Sequence, residues 1–100
     1  MKTTIEKSEG KALVIFEGEL DSFVSDEVGE QLESLYELEN TEITLDCSGL
    51  DYIASSGLRL FLLLLQNVRS HGCTLTIKGA NETLMNVFNS TGFVKCFQFI

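Results

Sequence analysis

Leu45-Asp46-Cys47-Ser48-Gly49-Leu50-Asp51-Tyr52-Ile53-Ala54-Ser55-Ser56-Gly57-Leu58 is the stretch on which the reading turns. Ile43 to Asp46 alternates apolar and polar residues as a strand does, and a loop containing Gly49 follows. Two serines then stand at the head of a leucine-rich run, Ser56 to Ser70, of helical length and composition, with His71-Gly72 as its stop signal. One serine at a helix start has a local explanation, because its hydroxyl satisfies an orphan N–H at about 1 kcal/mol. A second, neighbouring serine on a tight strand-to-helix turn places a hydroxyl where the helix dipole and free amides also stabilise an added phosphate.

Before this stretch, Thr3 to Ser8 reads as a weak polar strand, Glu9-Gly10-Lys11 as a hairpin loop, and Ala12 to Phe16 as a central strand covered on at least one face. Gly18-Glu19-Leu20-Asp21 closes that strand. Val24, Val28, Leu32 and Leu35 then recur at helical spacing, with Asp26, Glu27, Glu30, Glu33 and Glu37 between them, giving an amphipathic helix with an acidic outer face. After the leucine-rich helix, Thr74 to Lys78 alternates as a strand. Asn81 caps a third helix through Phe88 that Gly92 ends, and Cys96 to Ile100 is a last strand. The order is β-β-α-β-α-β-α-β, which predicts an α/β fold: a mixed sheet with right-handed crossovers and helices packed on one face.

One hundred residues, 44% of them apolar and seven of them Phe, suit a single domain over residues 1–100 that folds without metal or disulfides. Seven basic against 15 acidic side chains leave a net charge of −8, the wrong sign for a nucleic-acid backbone or an anionic leaflet. The asymmetry is sharp, since residues 1–50 carry 13 acids and three lysines. No apolar segment follows the N-terminal Lys2, and the longest apolar run, Leu60 to Leu65, is far short of the roughly 20 residues that span a bilayer. A cytoplasmic protein without membrane insertion is expected. Cys47, Cys73 and Cys96 are odd in number and form no CxxC pair, and His71 and Cys73 read as ordinary loop and strand residues. No metal site and no cofactor are expected.

Within this frame the chain resembles the STAS domain, the fold of bacterial anti-sigma-factor antagonists. Gly18 to Asp21 is similar to the family's G-E-L-D loop, Leu50 to Leu58 to its phosphorylation loop L-x-[FY]-[IM]-D-S-[ST]-G-L, and Phe88 to Phe93 to its late F-x-x-[ST]-G-[LF] turn. The three occur in the family's order and spacing. The resemblance implies a binding module: the unphosphorylated domain captures an anti-sigma factor that is also a serine kinase, and thereby frees the sigma factor. Phosphorylation breaks the capture and a phosphoserine phosphatase restores it. Carried over by position, the acceptor is Ser55, with Ser56 as the alternate. Asp21, Ala54, Ser55, Ser56, Gly57, Leu58 and Arg59 form the partner-binding set. In three places the chain departs from the family: Ala54 stands where Asp usually precedes the acceptor, Arg59 replaces a small residue, and the chain stops at Ile100 where relatives commonly add a helix.

Several of these residues admit two readings. Arg59, four residues beyond Ser55, either pairs with a phosphate there or is a solvated first-turn charge. Asp21 either approaches the acceptor or serves only as a turn residue before the acidic helix. Leu58, Phe61, Leu62, Leu65 and Val68 form one buried stripe, while Leu60, Leu63 and Leu64 are covered by flanking helices or make a partner patch. The acidic helix is either a solvated face or a steering surface for a basic partner. Hydrolytic chemistry is disfavoured, because His71 lies sixteen residues along the helix from Ser55, about 24 Å away. The competing function is a STAS module that works without phosphorylation, regulating a transporter ATPase or scaffolding a signalling complex, and Ala54 is the residue that favours it.

Overall fold

The computed structural model describes residues 1–100. Strand β1 (Lys2–Ser8) turns at Gly10, whose φ of 75° is the left-handed conformation the tight turn needs, into β2 (Lys11–Leu20). Helix α1 (Ser25–Leu32) leads to β3 (Glu42–Ile53), α2 (Ser55–Arg69), β4 (Thr74–Lys78), α3 (Glu82–Thr91) and the short β5 (Gln98–Phe99). The sheet order is β1-β2-β3-β4-β5, with β1 antiparallel to β2 and every other neighbouring pair parallel. This is the expected element order and mixed sheet.

Alternation along each strand decides which face the helices cover. Ala12, Val14 and Phe16 of β2, Ile43, Leu45 and Cys47 of β3, and Leu75 and Ile77 of β4 are buried, and they share one hydrophobic cluster with Val28, Leu32, Phe61, Leu64 and Phe88 from the helices. Phe16, Phe61 and Phe88 run through its centre with ring centroids 5.4 and 6.5 Å apart. The other sheet face carries Glu42, Thr44, Asp46, Thr74, Thr76 and Lys78 and has no helix over it. It holds a hollow of ≈ 680 Å³ at the end where β2, β3 and β4 begin, remote from Ser55.

The structure departs from the sequence reading at several boundaries. β2 is not closed at Gly18 but runs to Leu20, so Gly18, Glu19 and Leu20 are strand residues. β3 does not end at Asp46 but runs to Ile53, so Gly49 lies within a strand and not in a loop. Ten residues of β2 pair with twelve of β3 through register shifts between Ile15 and Glu17 and between Gly18 and Glu19. Each shift is a bulge that spends one extra β3 residue, and two bulges erase the two-residue period beyond Asp46. The first helix stops as a regular α-helix at Leu32 and tightens into a 3-10 turn over Glu33–Leu35, which still buries Leu35. The last strand is only Gln98–Phe99, because the chain leaves α3 through a left-handed Gly92 (φ 78°) into another 3-10 turn, Phe93–Lys95.

Candidate functional site

The serine turn sits where β2 and β3 end side by side. Leu20 pairs with Ile53, and the Ala54 N–H donates to the Leu20 carbonyl at 2.8 Å, which fixes the last extended residue before α2. Ala54 is the N-cap of α2, with extended backbone (φ −83°, ψ 166°) and a methyl side chain that can accept no hydrogen bond. The first turn of α2 therefore has no side-chain cap and no acidic residue, and the positive end of the helix dipole is left uncompensated there. Gly57 seats the helix on the sheet: a Cβ at this position would lie 2.6 Å from Leu20 Cγ and 3.1 Å from Ile53 Cγ1. Leu58 is buried just behind it.

The two serines differ in environment. Ser55 is exposed, whereas Ser56 is half-buried and its Oγ lies 2.8 Å from Ser25 Oγ. Ser25 is 5% exposed and also donates to the Asp21 carbonyl at 2.7 Å. The Asp21 carboxylate accepts from the backbone N–H groups of Phe23 (3.0 Å) and Val24 (3.2 Å). Its hydrogen bonds are thus those of a turn residue shaping the approach to α1, and through Ser25 that turn is joined to Ser56. Arg59 is exposed one helical turn beyond Ser55.

Sequence reasoning missed Ser25. The buried stripe of the first helix is Ser25, Val28, Leu32 and Leu35, with Val24 only half-buried. A hydroxyl on a core-facing stripe was the available signal, since a buried polar group has to find a partner. On α2, Leu64 is fully buried and Leu62 only partly so. Leu60 packs against Gly29 of α1, and Leu63 is left 39% exposed. Leu60 and Leu63 line a groove of ≈ 360 Å³ between α1 and α2, rimmed by Asp26, Glu30 and Glu33 and reaching Ser25.

Hydrogen bonds from Ser48 hold Asp46 below the usual carboxylate range, and the nearby Lys78 adds to this. Burial, with the Asp46 charge beside it, pushes the Cys47 thiol up to about 12. His71 is exposed just beyond the C-terminal end of α2, and Cys73 is buried with its thiol directed at the Leu38 carbonyl, 3.2 Å away. No three His, Cys, Asp or Glu side chains gather as metal ligands. No helix is long and apolar enough to cross a membrane.

The sequence profile of the family described as Mlab, STAS domain, matches residues 3–98. The chain belongs to the STAS-domain family. This STAS domain is 28% identical over 97 residues, 97% of its own length and 84% of the other's, to BtrV of Bordetella bronchiseptica, which is named as an anti-sigma factor antagonist. Its fold is shared with an anti-sigma factor antagonist from Mycobacterium paratuberculosis, with a TM-score of 0.82, 17% identity, and coverage of 98% of this chain and 83% of that one. The Bacillus cell fate determinant SpoIIAA, in its phosphorylated form, superposes with a TM-score of 0.76 at 16% identity, covering 99% and 91% of the two chains.

Proposed function

We propose that this STAS domain is an anti-sigma factor antagonist. Its unphosphorylated form binds an anti-sigma factor that is a serine kinase and so frees the sigma factor, and phosphorylation of Ser55 switches it off. The observation that supports this best is the difference between the two serines. Ser55 is exposed at the head of an uncapped helix, whereas Ser56 is held by Ser25. A phosphate on Ser55 meets the free amides and positive dipole end of α2 inside the domain, so modification is tolerated by the fold and felt by a partner. Asp21, Ala54, Ser56, Gly57, Leu58 and Arg59 frame that hydroxyl as the partner surface, and a phosphoserine phosphatase resets it. The reading is of a cytoplasmic binding module and not an enzyme, without nucleic acid, cofactor or membrane insertion. Its one histidine is at the far end of α2 from Ser55 and cannot serve as base.

The test is incubation with the anti-sigma serine kinases of the source genome and ATP, followed by phosphopeptide mapping and measurement of capture. Phosphate on Ser55 with loss of capture is expected. Modification of Ser56 alone, or of neither serine by any of those kinases, overturns the switch. Ala54 favours a second reading, a STAS module that regulates a transporter ATPase or scaffolds a complex without phosphorylation. In that case capture of a transporter ATPase persists unchanged in Ser55→Ala and Ser55→Glu.

A further inference from the structure

Six of the seven phenylalanines lie in the hydrophobic cluster or pack against it, and the seventh, Phe23, is 93% exposed. Phe23 stands in the turn between β2 and α1, two residues before Ser25, whose hydroxyl meets that of Ser56. The aromatic side chain is therefore displayed at the same end of the sheet as Ser55. It contributes almost nothing to the core. Yet its backbone is held firmly: the Phe23 and Val24 N–H groups share Asp21 Oδ1, and Ser25 Oγ closes the turn on the Asp21 carbonyl. An exposed aromatic on a pre-shaped turn loses little conformational freedom when a partner buries it, and such residues carry much of the energy of protein interfaces.

The surrounding charge narrows the partner. Residues 12–58 contain twelve acidic side chains and no lysine or arginine, and Glu19, Asp26, Glu27 and Asp51 are exposed in the segments around the turn. A second copy of this chain, at net −8, would bring like charges together. We infer that Phe23 is the anchor of the partner interface, inserting into an apolar pocket rimmed by lysine or arginine on the anti-sigma factor. This inference rests on the proposed function.

The test is titration of the wild type, Phe23→Ser and Phe23→Leu against each purified anti-sigma serine kinase of the source genome, with thermal melts of all three forms and sedimentation of the free wild type over a dilution series. The expected result is unchanged melting, binding weakened at least about 30-fold in Phe23→Ser, an intermediate loss in Phe23→Leu, and a free chain that stays monomeric. Equal affinity of wild type and Phe23→Ser for a kinase they both bind overturns the anchor and leaves the proposed function standing. Binding of wild type to none of the kinases removes the proposed function, and the anchor with it. Self-association abolished by Phe23→Ser overturns the inference in favour of a homodimer contact. If Phe23→Ser melts early, Phe23→Leu, which keeps an apolar side chain, decides.

Discussion

Ser25 Oγ and Ser56 Oγ lie 2.8 Å apart, joining the first residue of α1 to the second residue of α2. The bond makes one of the two neighbouring serines a structural element. Net hydrogen-bond contributions are about 1 kcal/mol. Ser25→Ala strips the Asp21 carbonyl of its donor as well, so it is expected to cost more than Ser56→Ala. A urea-denaturation double-mutant cycle should show the double variant less destabilised than the sum of the singles, with a coupling of about 0.5–1.5 kcal/mol. A coupling indistinguishable from zero would mean that the two hydroxyls are independent.

Ala54 already has the extended backbone of an N-cap residue but no atom to accept an α2 amide. Ala54→Asp supplies that acceptor and a negative charge at the positive end of the helix dipole. It is expected to raise stability by about 0.5–2 kcal/mol, read as a higher urea midpoint with an unchanged slope. It also restores the residue that the family pattern carries before the acceptor, so kinase labelling of Ser55 should rise in the same variant. A lower midpoint would show that the carboxylate cannot reach the amides.

Gly57→Ala tests the seating of α2. In an exposed helix the change gains up to about 1 kcal/mol, but here the new methyl would stand 2.6 and 2.8 Å from two atoms of Leu20 and 3.1 Å from Ile53. Overpacking costs about 1–3 kcal/mol, so a net loss on the order of 1–2 kcal/mol is expected in chemical denaturation.

How far the sequence carried the fold can be seen at β3. Ile43 to Asp46 was legible because period-two alternation survives there. Cys47 to Ile53 was not, since two bulges against β2 break the alternation while pairing continues. The helices were legible through their apolar spacing and through Asn81, whose side-chain oxygen accepts from the Leu84 N–H at 2.8 Å as an N-cap does. The serine turn was legible as a motif, but which serine is free was not. That depends on Ser25, 31 residues away in sequence, and on a contact that only the packing of α1 against α2 creates. Phe23 was invisible for the same reason, because exposure belongs to the fold and not to the residue.

The three cysteines should separate by burial. Cys47 and Cys73 are buried and Cys96 is exposed. Burial pushes the Cys47 thiol up to about 12, so near pH 8 it stays protonated and is a poor nucleophile. A thiol-specific reagent at pH 8 should therefore label Cys96 quickly in the native protein and all three only in denaturant. Fast native labelling of Cys47 would show that β3 opens locally.

Ser55→Glu separates the fold from the switch, because one position serves both the start of α2 and the surface a partner meets. Ser55 is the first residue of α2 and is exposed, with no side-chain cap before it. A carboxylate there faces free amides and the positive dipole end, which favours it, while Ser25 and Ser56 keep their own hydrogen bond. Stability should accordingly change by less than about 1 kcal/mol in either direction. A partner surface shaped for a small hydroxyl responds differently. The carboxylate adds bulk and a charge that must lose its water without an opposing cation, at a cost of several kcal/mol when unpaired. Thermal melting and titration against the anti-sigma kinase should thus show an almost unchanged midpoint with binding weakened at least about tenfold, or roughly 1.4 kcal/mol. Ser56→Glu makes the opposite pattern a useful contrast. It forces a charge against the buried Ser25 and should lower the melting midpoint before any effect on binding can be read. Full-strength binding by Ser55→Glu would transfer the weight to the phosphorylation-independent module, and collapse of its fold would make Ser55 a structural residue.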